Sequence, residues 1–247
     1  MNNILFLGTG LILWSGFGLA QAASNPAGHW RGRIQIPDHE LEIVVDLAPN
    51  AAGAWIGSMS VTGTGAHDVP LDEVTVNDKA VRFVAHLPEH ASFEGRLAAD
   101  GSGLSGTAAN AAGEAPFQIA RTGEAQVSVP PPSSALAKEF EGSWEGSLYA
   151  GNGKVNPVTL KLSSSADGTA MATLISGGQR GEMEIPVTTV TITVTSQGKE
   201  LHLEARALSG TYQGTLTATG EIGGEWAQGK IHLPLTFRRG SPEVKKP

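Results

Sequence analysis

The chain repeats itself, and a pattern written twice must be able to fold the same way twice. Gly28-His29-Trp30-Arg31-Gly32 returns as Gly142-Ser143-Trp144-Glu145-Gly146, and Val69-Pro70-Leu71 returns as Ile185-Pro186-Val187. Ser92-Phe93-Glu94-Gly95-Arg96-Leu97 matches Thr211-Tyr212-Gln213-Gly214-Thr215-Leu216. The copies close on Pro116-Phe117-Gln118-Ile119-Ala120-Arg121 and Pro234-Leu235-Thr236-Phe237-Arg238-Arg239. The spacing between matched residues drifts by only a few positions, as hairpin-loop insertions produce. Between the copies stand Pro130, Pro131 and Pro132, which favour a stiff extended spacer and exclude sheet pairing there. The expected organisation is copy one over 24–124, a proline-rich linker over 125–138, copy two over 139–240 and a tail over 241–247.

Within each copy, apolar residues alternate at period two in short runs bounded by Gly, Asn, Asp or Pro, the pattern of half-buried antiparallel strands. Copy one reads as strands near 28–36, 40–48, 54–62, 69–77, 80–87, 91–98, 103–109 and 115–121. Copy two reads as strands near 142–150, 157–163, 169–176, 184–194, 199–206, 210–217, 221–227 and 231–238. Helical periodicity is absent from the mature chain apart from one turn at 135–140. Eight short strands leave two edges to protect, and closing the sheet removes them. The expected fold is therefore all-β, as two tandem eight-stranded antiparallel barrels. Trp30, Ile43, Val45 and Phe83 face inward, while Arg31, Glu42, Asp46 and His86 face out, with Glu42 and Asp46 read as solvated. A barrel of this size is either filled by its own side chains or holds one small ligand.

Copy two resembles the small all-β module that precedes the catalytic domain of secreted bacterial α/β-hydrolases, such as dienelactone-hydrolase-like esterases and peptidases. The residues that carry the resemblance are Gly142-x-Trp144-x-Gly146-x-Leu148, Ile185-Pro186-Val187, Tyr212-x-Gly214-x-Leu216, Gly224-x-Trp226-x-Gln228-Gly229 and Leu233-Pro234-Leu235-Thr236. Copy one keeps Gly28-x-Trp30-x-Gly32 and Phe93-x-Gly95-x-Leu97, but has Ala108 in place of the second Trp. The resemblance implies a lipocalin-like small barrel. It implies no activity, because the enzymatic machinery of those proteins lies in a hydrolase domain with no counterpart in these 247 residues.

Composition narrows the chemistry. There is no Cys, which excludes disulfides, a thiol nucleophile and thiolate-held metals. A net charge of −7 argues against a nucleic-acid partner. No G-x-S-x-G nucleophile elbow, P-loop or dinucleotide fingerprint occurs. Residues 4–20 are uncharged and run into Ala20-Gln21-Ala22, so 1–23 read as a cleaved signal peptide despite an n-region without Lys or Arg. The mature protein is then periplasmic or secreted, with no stable membrane span.

The leading expectation is a non-catalytic binding or accessory protein without cofactor or metal. It would take a small apolar ligand at Trp30, Phe83 and Phe93 in copy one and Trp144, Tyr212 and Trp226 in copy two, or dock on another exported protein. Trp55, whose counterpart is Ala170, is the candidate for stacking on a sugar. Two alternatives stand beside it. One is a purely structural module with filled barrels. The other is a hydrolase or isomerase in which His39, His67, His86 or His90 lies within hydrogen-bond reach of a carboxylate in a cleft.

Overall fold

The computed structural model describes residues 25–37, 39–149, 153–178 and 181–240; the expected signal peptide and the 241–247 tail lie outside them. The protein is all-β. Lobe one runs β1 (Gly28–Ile36), β2 (His39–Pro49), β3 (Trp55–Val61), β4 (Val69–Asn77), β5 (Ala80–Ala85), β6 (Ala91–Leu97), β7 (Gly103–Asn110) and β8 (Gly113–Gly123). Each strand pairs antiparallel with the next, and β8 returns to β1, closing an eight-stranded barrel. The weakest seam is β3–β4, held only by the pairs Ser58–Pro70 and Met59–Val69.

Lobe two runs β9 (Gly142–Tyr149), β10 (Val155–Ser164), β11 (Ala170–Gly178), β12 (Gly181–Pro186), β13 (Thr189–Thr195), β14 (Gly198–Ala205), β15 (Gly210–Leu216), β16 (Ile222–Gln228) and β17 (Ile231–Arg239). A 3-10 turn, η1 (Arg206–Leu208), sits between β14 and β15. The single strand expected over 184–194 is two strands here, so the sheet has nine. Chain direction explains the break. The Val187 N–H still donates to Ala172 on β11, whereas the Thr188 N–H already donates to Glu204 on β14. Two adjacent residues hand the chain from one neighbour to the other, and β12 and β13 become the two edges of a curled sheet that does not close by strand pairing.

The linker covers those edges. The proline run makes no sheet pair, as expected, but the residues just after it do. The Ser134 carbonyl accepts from Ala170 N–H on β11 at 2.8 Å, and its N–H donates to Val190 on β13 at 2.8 Å. Ser133 Oγ and Ser134 Oγ accept the N–H groups of Val190 and Ile192, at 3.0 and 3.2 Å. Unpaired edge groups are costly when buried, and one short serine segment satisfies several of them.

Each lobe has its own apolar core. Glycine marks where a neighbouring strand or an aromatic ring leaves no room for a side chain. A Cβ on Gly32 would lie 2.0 Å from the Gln118 carbonyl oxygen across the β1–β8 closure, and one on Gly214 would lie 2.3 Å from the Tyr212 hydroxyl.

Candidate functional site

The aromatic residues expected to meet a ligand are packed against the protein itself. Trp30, Phe83 and Phe93 belong to the first core, and Trp144, Tyr212 and Trp226 to the second; none is more than 6% exposed. Phe83 and Phe93 stack with centroids 4.7 Å apart, and the edge of Phe93 meets Phe117 at 5.5 Å. The Tyr212 hydroxyl lies 3.0 Å from the Ile222 carbonyl and 3.2 Å from that of Leu235, and burial holds its phenol well above the ordinary range. Trp226 fills the space over Gly210, where a Cβ would be 2.2 Å from the ring. Trp55, the candidate for sugar stacking, opens β3 and is half-buried against the first core.

Trp30 and Trp144 have a further, duplicated role. Each indole N–H donates to a backbone carbonyl four residues earlier, Trp30 to Pro26 at 3.0 Å and Trp144 to Phe140 at 2.7 Å. An arginine at the end of the last strand lies over each ring, Arg121 at 4.7 Å and Arg239 at 4.2 Å. Arg121 also clasps the carbonyls of Asn25 and Ala27, and Arg239 clasps those of Glu139 and Glu141. Tryptophan and arginine together plug one end of each lobe. The motif is legible in the repeat, where both residues keep their positions.

Two depressions mark the outside. The first, about 270 Å³, lies where the lobes meet and is lined by His67, Asp68, Ser128, Glu204, Arg206 and their neighbours. Here η1 reaches into lobe one, and Ala207 packs in that lobe's core. His67 N–H donates to the Arg206 carbonyl at 3.1 Å, and Ser209 Oγ donates to Gly65 at 2.7 Å. The Arg206 guanidinium pairs with Glu204 at 3.0 Å and reaches the Asp68 carbonyl, the Ser128 carbonyl and Ser128 Oγ at 3.1–3.3 Å. One mostly buried cation therefore ties together lobe one, the linker and lobe two.

The linker is also fastened to the outer wall of lobe one. Asp46, expected to be solvated, is 6% exposed, because its carboxylate accepts the Gln126 N–H at 2.7 Å and sits 2.9 Å from His29 Nδ1. Arg31 Nε donates to His29 Nε2 at 3.2 Å, which assigns the ring proton to Nδ1 and aims it at Asp46. Ser58, also buried, accepts the Ser128 N–H at 3.2 Å. Neither Asp46, Ser58 nor Arg206 announces itself in the sequence: strand parity says which side chains leave the barrel, and only the tertiary fold says what covers them.

Of the singled-out histidines, His67 Nδ1 lies 3.2 Å from Asp68 in the inter-lobe depression, and His86 Nε2 lies 3.2 Å from Asp72. His90 meets His86 edge-on at 4.8 Å, and His39 is exposed at the start of β2. The serines beside His67 are engaged elsewhere, Ser209 with Gly65 and Ser128 with Arg206, so the groups form a joint rather than a nucleophile–base pair. Among the described residues no group of three or more His, Asp or Glu could hold a metal ion.

The second depression, about 430 Å³, lies at the plugged end of lobe two, beside Trp144, Leu216, Thr219 and Arg239. Its acids are already paired, Glu139 with Lys199 and Glu221 with Arg238. The Lys199 hydrogen bond holds Glu139 below the usual carboxylate range, and Glu221 raises Arg238.

No family model and no curated protein matches the chain. Among solved structures it is similar to a candidate outer membrane protein of Bacteroides fragilis, at 15% identity over 87% of this chain and 96% of that one, with a TM-score of 0.28. It is also similar to a protein of unknown function from the DUF3598 family of Nostoc punctiforme, at 12% identity over 88% and 97% of the two chains, with a TM-score of 0.21. These findings correct the resemblance to the hydrolase-borne module: no family model supports it, and neither structure is described as a hydrolase or part of one.

Proposed function

We propose that this is an exported, non-catalytic accessory protein that docks on another exported protein through the outer surface of lobe two, with lobe one as its mount. The single observation behind this reading is an asymmetry. Tyr149, Val155, Met171, Met183, Val194 and Ile231 are large apolar residues exposed on lobe two, and among the described residues lobe one has none of that kind. Tyr149 and Val155 are direct cross-strand partners on the β9–β10 hairpin, so their exposed surfaces adjoin. The packing of both cores directs attention to the outside rather than the barrel axes, and the 1–23 segment supports export.

A photo-crosslinking residue placed at Tyr149 tests the reading in cells, with the same residue at Ser105 on lobe one as control. A discrete protein adduct from position 149 that is absent from position 105 is the expected result. Equal adducts from both positions, or none from 149, overturn it. A fluorescent fatty acid addresses the interior-ligand alternative: saturable one-to-one binding by the purified protein would return the function to the barrel axes.

A further inference from the structure

The duplication provides an internal control for each lobe, and the plugged ends differ at the latch arginine. In lobe one the latch arginine is fully engaged. Its terminal nitrogens hold the Asn25 and Ala27 carbonyls, and Nε donates to the Gly101 carbonyl in the β6–β7 loop at 3.2 Å. In lobe two the terminal nitrogens of Arg239 hold the matching carbonyls of Glu139 and Glu141, but among the described residues no acceptor meets its Nε. The cause is loop length. Six residues separate Leu97 from its partner Leu104, whereas five separate Leu216 from Ile222. The shorter loop turns tightly on itself, with Thr217 Oγ1 bonding to the Glu221 carbonyl and its N–H, and does not reach the arginine. Arg121 is accordingly half-buried while Arg239 is exposed, and the 430 Å³ depression opens where lobe one has its loop.

We infer that this depression is a binding site for a small monocarboxylate with a short apolar body. The Arg239 acceptors are neutral carbonyls, so its positive charge meets no carboxylate in the latch. The other charged groups that line the depression cancel in pairs, Glu139 with Lys199 and Glu221 with Arg238. Among the groups that line the depression and their ion-pair partners, the Arg239 charge alone has no carboxylate partner. Its Nε–H, which no described residue accepts, is directed by a clasped guanidinium that needs no reordering to bind. Leu216 and Trp144 offer the apolar wall, and Thr219 adds a hydroxyl at the rim. A carboxylate oxygen on Nε would take the place that the Gly101 carbonyl holds in lobe one, with the added attraction of opposite charge. The site is separate from the Tyr149–Val155 pair that the crosslinking experiment reads, which lies at the far end of the β9–β10 hairpin from Trp144.

Butyrate, butyramide and butylamine form a charge series of one shape. NMR titrations following the Arg239 Nε–H and Trp144 Nε1–H resonances read each one directly. A ligand of so few atoms is expected to bind with a dissociation constant on the order of 1 mM. Butyrate should saturate both resonances, butyramide should bind roughly ten-fold more weakly, and butylamine should leave them unmoved. A loop graft replacing Thr217–Glu221 with the sequence of residues 98–103 should abolish the butyrate shifts while preserving the Trp144 resonance and the melting temperature. Arg239 itself is kept, because removing the latch would confound binding with unfolding. No saturable shift with butyrate, equal binding of butyramide, or unchanged binding in a folded graft variant would each overturn the assignment.

Discussion

Asp46 leaves its own barrel wall and is still interior to the protein. Two groups bond to it, the His29 ring and the Gln126 backbone, and both belong to segments that must be held against lobe one. Asp46→Ala leaves both donors without an acceptor under cover, so we expect a loss of about 1–3 kcal/mol in urea unfolding. An unchanged midpoint would mean that water replaces the carboxylate without cost. At the surface, Asp167 answers a different question. The Ser165 hydroxyl and then the Thr169 N–H lower its carboxyl from 3.8 to about 2. Because the folded value is the lower one, its stabilising contribution is complete above the ordinary carboxylate range and is lost as pH falls toward about 2. Ser165→Ala should move the Asp167 titration midpoint, read from carboxyl carbon shifts, up toward 3.8; a midpoint that stays near 2 would assign the effect to the backbone alone.

At the scale of elements, local pattern and structure agree where a strand's partner is its sequence neighbour. In lobe one all eight expected strands form within a few residues of their expected limits, because alternation fixes the inward face and the turns at Asn77-Asp78 and Asp100-Gly101 fix the register. The misses share one cause. The break between β12 and β13, the serine segment over their edges and η1 all depend on groups distant in sequence, and period-two alternation carries no information about them. The same holds for the candidate sites. The Trp30 and Trp144 plugs could be read from the repeat, whereas the Arg206 joint could not, since its counterpart region in copy one is the unrelated 86–90 turn. Ser134→Ala separates the two bonding modes of the linker. Hydrogen exchange at Ile192, which relies on the hydroxyl, should accelerate, while Ala170, which relies on the backbone carbonyl, should stay protected. Acceleration at both positions would mean that the segment detaches as a whole. In the core, Trp226→Ala should cost about 3–5 kcal/mol, because it empties the space that lobe one manages with Ala108 and its own packing.

At the scale of the whole molecule, a closed barrel and a curled nine-stranded sheet, each with its own packed core, are fastened into one body by the linker and by Arg206. The joint has little tolerance: a Cβ on Gly65 would lie 2.6 Å from the Leu208 carbonyl. A function that presents one lobe from the other needs a fixed geometry between them, and a swinging pair could not supply it. The chain contains no cysteine, so spin labels can be placed at Ser105→Cys on lobe one and Lys161→Cys on lobe two without removing any native thiol. A pulsed electron paramagnetic resonance measurement between these labels should give a single narrow distance distribution that broadens on Arg206→Ala. A broad or multimodal distribution in the protein with Arg206 intact would contradict the account.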